Sequence, residues 1–576
     1  MGAPAATESP PPGRGQRLGR GGRVALGGVA AWLVFAYLLA PPLIAALYRG
    51  DVSVGHAELT AALAEARAEA SLAEHLAEWR WFAVWPAVAV LAGWLFARLT
   101  GNRRLVERHV LGASASSLAG IRILVAAVAG AMVLWEDFPS SALLPRAMAD
   151  STGVMDLLRA VPGFDALLAS VTALAVLEAL TLAALAAVLV GWRTRWVLPA
   201  AALGYLVLGG TLRLYSRFFH AGLVPFYLLA VLCFTPCADA LSLDRRRRAA
   251  DGAPPAREAA ASAYGWARFA CWTVMALVYF EAGLSKLRSG GLAWWHPDNL
   301  RAIVMTDSLN PMAFDFGLGL SLASAPAALF AVFGIGALAT ELAYPAVLVW
   351  RPARRLLPLA AAAVHVGILL LQNVAFLDLV VLQAMFYRWS LPGRGPRRPT
   401  GASEGVLGSA PGEAEVGERG ARRVRRLAFL FLFVWALRLE VYPLSSMQMY
   451  ASRNESGEIR YLRVLAHRAS GAVTPAPLEE AIPALADARY RWTLRGLFAE
   501  DGTAASGRRA AVARSYLHAA AAAYNRDVPT ADRILAFEVH QHAWDVAPPP
   551  PRRPEATPGV RIGEVVVPVP KAGAAP

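Results

Sequence analysis

The sequence predicts an all-α polytopic membrane protein of about 10–11 transmembrane helices, with a small α+β extracytoplasmic domain towards its C-terminal end. Three observations carry that expectation. Of 576 residues, 56% are hydrophobic and only 17% charged, whereas about a quarter of a soluble domain is charged. Windows of about 18–25 residues with few or no charges recur along the chain, each long enough to cross a bilayer. Arginines gather at alternate ends of those windows.

Residues 1–23 are rich in Pro, Gly and Arg and read as a disordered basic N-terminus. Spans are expected near 24–48, 81–98, 118–135, 166–191, 196–215, 222–242, 264–286, 327–350, 356–372, 375–390 and 424–443. The first has a basic flank but no convincing A-x-A cleavage site, so it reads as a retained helix. Between the first two, "AELTAALAEARAEASLAEHLAEW" (57–79) spaces alanine and charge as an outside helix would. These elements make a 24–110 segment ahead of a 115–390 transmembrane domain. A Gly/Pro/Arg/Glu-rich stretch, 391–423, reads as a cytoplasmic linker before the last span, 424–443. From Tyr442 the chain turns polar, and 444–550 reads as a small outside domain. There "GEIRYLRVLAHRASGAV" reads as strands, "RRAAVARSYLHAAAAAYNR" as a helix and "RILAFEVHQHAW" as a further strand. Residues 551–576 read as a disordered Pro-rich tail.

The net charge of +14 follows topology and not nucleic acid. With the N-terminus inside, the inside segments hold Arg14, Arg17, Arg20 and Arg23, then Arg98, Arg103, Arg104 and Arg108. Arg193, Arg195, the run Arg245 to Arg248, Arg351, Arg354, Arg355 and the arginines of the linker follow on the same side. The first two outside loops are acidic, with Glu58, Glu65, Glu69, Glu74 and Glu78, then Glu136, Asp137, Asp150, Asp156 and Asp165. This alternation implies an inner (cytoplasmic) membrane protein with its N-terminus inside and its C-terminus outside.

"VYFEAGLSKLRSG" (278–290) holds one of only two lysines in a chain with 56 Lys plus Arg. Lysine is readily neutralised when desolvated and can then act as a base, while a guanidinium stays charged. A position that keeps Lys286 in such a chain needs an amine, or else Lys286 snorkels to the outer interface. His220 and His365 are expected at comparable depth, and three polar groups converging on the outer half of one bundle make a candidate site. Arg213 and Arg217 can serve anionic groups there or anchor helices at the interface. Glu281 can pair with a nearby arginine. The chain has no Gly-rich phosphate loop and no Cys/His metal spacing. His540 and His542 share one strand face, as a metal pair or an exposed strand pair.

"RFFHAGLVPFYLLAVLCFTPCADALSLD", a basic loop and then "VYFEAGLSKLRSGGLAWW" resemble the HTTM domain, the membrane region related to vitamin K-dependent gamma-carboxylase. Ser242-Leu243-Asp244 is similar to the family's Ser-Val-Asp, and Ala282-Gly283-Leu284-Ser285-Lys286-Leu287 to its lysine motif. The family's first lysine is Ser285 here, and its Asn-His falls on Phe219-His220. The resemblance covers about 115–390 and extends more faintly through "YPLSSMQMYASRNESGEIRYLRVL".

What the resemblance implies is a bacterial carboxylase-like lyase and epoxidase that uses a reduced quinone, vitamin K or menaquinol, taken from lipid. Lys286 would be the base towards the quinol, and His220 and His365 would contact the quinone or its oxyanion; Arg217, read from its own position, would be a further quinone-binding group. A secreted peptide would be the carboxylated partner, and no metal is implied. The other reading is a non-catalytic HTTM protein, a scaffold, maturation or immunity factor for an exported peptide.

Overall fold

The computed structural model describes residues 20–51, 71–102, 113–215, 220–252, 262–307, 318–387, 413–454, 457–486, 507–545 and 559–567, with isolated positions between them. The chain is mainly helical. In order it forms α1 Gly22–Arg49, α2 Leu72–Thr100, α3 Ala115–Trp135, α4 Val171–Val190 and α5 Thr194–Arg213. The short α6 Leu223–Leu232 precedes α7 Ser262–Gly290 and α8 Pro297–Asp307. Then come α9 Ala327–Ala343, α10 Ala353–Gln372, α11 Leu377–Leu382, α12 Glu413–Ala436 and α13 Gly507–Tyr524. Among the described residues, seven helices (α1–α5, α7 and α10) are long and apolar enough to cross a membrane.

Two compact units divide the chain, one of residues 1–103 with 428–437 and one of 104–427 with 438–576. In the first, indole N–H groups tie α1 to α2: Trp32 Nε1 donates to Ala83 O and Trp79 Nε1 to Ala36 O, each at 2.7 Å. Ser71 and Glu74 form a capping box that opens α2. Of the expected 57–79 helix, residues 71–79 belong to this cap and the start of α2; most of 57–70 lies outside the described residues.

In the second unit, three expected spans are shorter than the hydropathy implies. The 222–242 segment is helical only over α6, about 15 Å at 1.5 Å per residue, half a bilayer core. Pro236 ends it, having no N–H to give and forcing the preceding residue out of helix. The irregular stretch that follows is satisfied from α3: the fully buried Arg122 donates to Cys237 O at 2.8 Å and to Leu241 O at 2.6 Å. Non-helical backbone survives at membrane depth where protein supplies such partners. The 327–350 segment breaks between α9 and Pro345. The 375–390 segment is α11 plus a 3-10 turn, Gln383–Phe386.

The Ser242-Leu243-Asp244 motif is a capping device. Ser242 Oγ accepts from Arg245 N at 2.9 Å, opening the helix Leu243–Ala250. Asp244 receives the amides of Arg193 at 2.7 Å and Thr194 at 2.8 Å, closing the start of α5. Burial alone would raise the Asp244 carboxyl, but the Thr194 and Arg193 hydrogen bonds and the Arg248 charge hold it below the ordinary carboxylate range. A native value below the unfolded one gives stability that is present above the unfolded value and lost as pH falls through the native one. Asp244→Ala is therefore expected to cost about 1–2 kcal/mol near neutral pH, with the difference fading below about pH 4. Thermal unfolding across that range checks it; a deficit independent of pH contradicts it.

Two expected boundaries are corrected. The linker stretch 391–423 is helical from Glu413, where Glu418 pairs with Arg422 at 3.0 Å, one turn on. A glutamate one turn ahead of an arginine is the favourable order for i,i+4 pairing. Strands β1 Glu440–Val441 and β2 Leu444–Ser445 pair as a short antiparallel ladder, and the tail 551–576 contains a strand, β6 Gly559–Val566. It completes an antiparallel sheet ordered β4-β3-β5-β6, with β3 Glu458–Arg468, β4 Val473–Pro475 and β5 Ile534–Asp545. Val565 of β6 faces Phe537 of β5, the β-branched packing that the flanking prolines obscured. Ile459, Tyr461 and Trp544 of the sheet pack with Trp294, Leu300 and Phe330 in one core.

Candidate functional site

The candidate site is built on α7, the most buried of the seven long helices. Gly283 lets α9 approach closely: a Cβ there would lie 3.0 Å from Glu341 Cβ. One turn on, Lys286 is 4% exposed. Its Nζ donates to Glu341 Oε1 at 2.8 Å and to Met449 O at 3.0 Å, and lies 5.3 Å from the centre of the Trp294 ring. The amine that the sequence singles out is thus held in a buried ion pair.

The segment after α12 folds over this face of α7. Ser285 Oγ donates to Ser446 O at 3.1 Å, Trp294 Nε1 to Tyr450 O at 2.7 Å, and Asn454 N to Asn299 Oδ1 at 2.9 Å. Met449 and Tyr450 are thereby fixed as one wall of a cavity of about 30 Å³. Tyr279, Lys286, Glu341, His365, Ile368 and Phe376 are among its other lining residues. On α10, His365 Nε2 lies 2.8 Å from Tyr279 OH. Tyr279 stacks on Tyr344 with ring centres 4.3 Å apart. Gln383 bonds both hydroxyls, donating to Tyr279 OH at 2.8 Å and accepting from Tyr344 OH. Glu341 Oε2 and His365 Nδ1 are buried without a hydrogen-bond partner among the described residues.

Of the residues the sequence picks out, Lys286 and His365 line this cavity and His220 is not among its lining residues. His220 instead sits 3.6 Å from Glu440 Oε2, on a carboxylate that also accepts from Ser446 Oγ at 2.7 Å. Equal depth along the membrane normal does not put two side chains on the same face. Arg217 and Phe219 lie outside the described residues. Arg213 is buried and donates to Gly209 O at 2.8 Å and Ala221 O at 2.6 Å, a structural use of its guanidinium. Glu281 is fully buried; Arg288 is the charge that acts on it, without a hydrogen bond between them. In the sheet, His542 stacks on Tyr461 at 5.0 Å and His540 Nε2 lies 3.1 Å from Glu538 Oε2. Among the described residues no cluster of three or more His, Cys, Asp or Glu is arranged to hold a metal.

Sequence reasoning missed Glu341, Tyr279 and Gln383. Glu341 had a readable signal: it is the one charged residue in the apolar stretch 327–350, and a charge inside a span marks a candidate site by default. No family model matches the chain, and no curated protein or solved structure matches it.

Proposed function

We propose that the protein is an integral membrane enzyme that moves protons in a water-poor site. The reaction we assign is quinol oxidation and epoxidation coupled to carboxylation, or related chemistry, on a secreted peptide. The observation that carries this reading is the meeting of Lys286, Glu341 and His365 at one small buried cavity, from helices distant in sequence. The two unpartnered polar atoms there, Glu341 Oε2 and His365 Nδ1, fit the hydroxyl of a reduced quinone such as menaquinol. The cavity of about 30 Å³ takes that hydroxyl, and Ile368 and Phe376 among its lining residues give the apolar surface against which the ring would lie. A bound quinol would supply the reducing electrons, with molecular oxygen as the oxidant that leaves as epoxide and water, and the strong base that takes the peptide proton before carbon dioxide adds.

Lys286 is the group assigned to take a proton. Passing its own extra proton to Glu341 across 2.8 Å leaves a neutral amine beside a neutral acid and no net change of charge in the site. That exchange suits a low dielectric, where separated charges are costly. His365 is assigned to the oxygen that becomes negative, and the apolar surroundings exclude water that would quench a strong base.

A photoreactive menaquinone analogue tests the site. Adducts are expected on the peptides that carry Ile368, Phe376, Met449 and Tyr450, and excess menaquinone should compete them away. Adducts confined to α1 and α2, or insensitive to competitor, overturn the assignment. The orientation we propose, N-terminus inside and C-terminus outside a bacterial cytoplasmic membrane, rests on the arginine distribution. A reporter fused after residue 460 is expected to be active only outside; activity only in the cytoplasm contradicts it.

A further inference from the structure

The hydrogen bonds behind His365 determine which of its ring nitrogens carries the proton. Gln383 is 3% exposed, and its amide can face only one way. Its Nε2 lies 2.9 Å from Leu379 O, a carbonyl that only accepts, so the nitrogen must be on that side. The second N–H donates to Tyr279 OH at 2.8 Å, and Oε1 accepts from Tyr344 OH. The Tyr279 oxygen already receives a proton, so its own hydroxyl hydrogen must be given away. The partner at hand is His365 Nε2, at 2.8 Å. An Nε2–H would instead aim two donors at one buried hydroxyl and leave its hydrogen without an acceptor, which burial makes costly.

We infer that Gln383 is a positioning residue which, through Tyr279, holds His365 neutral with its proton on Nδ1. Nδ1 is buried without a partner among the described residues, as is Glu341 Oε2, and both residues line the same cavity. The site therefore offers one donor and one acceptor. A hydroxyl group carries the matching pair, an acceptor for His365 and a donor for Glu341. This use of the tautomer rests on the function proposed above; the tautomer itself does not.

The test is nitrogen NMR on full-length protein labelled with ¹⁵N-histidine, the His365 signals being assigned by their loss in His365→Asn. In the wild type at neutral pH, Nδ1 is expected to give the protonated signal and Nε2 the unprotonated one. Gln383→Glu, at a pH where the new carboxylate is ionised, accepts from both tyrosines. Tyr279 then turns its proton to residue 383, and the two His365 signals should exchange character. Tyr279→Phe removes the donor and should yield a mixture of tautomers. A wild-type His365 protonated on Nε2 or on both nitrogens overturns the inference, as does a wild-type pattern retained in both variants. A wild type with the expected tautomer that forms no quinone epoxide supports this inference and removes the proposed function alone.

Discussion

Glu341→Ala is expected to destabilise the protein by about 3–5 kcal/mol, because it strands the Lys286 charge inside the second unit. The two side chains are 5% and 14% exposed and 2.8 Å apart, so little solvent is at hand to take over the carboxylate's role. Met449 O and the Trp294 ring remain near the amine but carry no full negative charge. Replacing both partners, Lys286→Met with Glu341→Leu, should recover most of the loss, since a buried ion pair exchanged for apolar groups is often neutral or stabilising. Reversible unfolding of the purified protein in bicelles reads both. A single variant as stable as the wild type would mean that the pair contributes no buried charge to protect.

Lys286→Arg separates anchoring from chemistry. The guanidinium can keep a bidentate contact to Glu341 and reaches an interface as well as lysine does, so insertion and stability should stay near wild type. It cannot give up its proton in a protein. Turnover of reduced quinone should therefore fall on the order of a hundred- to ten-thousand-fold, the same loss expected of Lys286→Ala. Full activity in the arginine variant removes the base assignment and leaves the pair as structure.

Much of the architecture was legible, and the failures share a cause. Hydropathy marks a segment as apolar but does not say that it is continuous helix. It took 222–242 and 375–390 as spans, although Pro236 stops α6 and the αL residue Asn373 ends α10 just before the second segment. The buried Arg122, which makes the first break tolerable, is a single charge inside a span and looked like any other. In the site, Lys286 stood out because the chain writes all but two of its 56 Lys plus Arg as arginine, and His365 because of its depth. Their pairings did not, since helix–helix register is absent from one sequence. Glu341 is 55 residues from Lys286 and Tyr279 is 86 from His365. His220 failed for the same reason: its depth was readable, and the face it presents to Glu440 was not.

The most direct test of the central claim is turnover by the wild-type protein itself. Purified protein in lipid nanodiscs is given reduced menaquinone or reduced vitamin K, oxygen and bicarbonate, and the quinone products are identified by mass. Quinone epoxide is expected to form catalytically in the wild type and to fall to background in both Lys286→Ala and Lys286→Arg. Wild-type protein that binds the quinone at the cavity but yields no epoxide, or epoxide formed equally by the lysine variants, contradicts the claim.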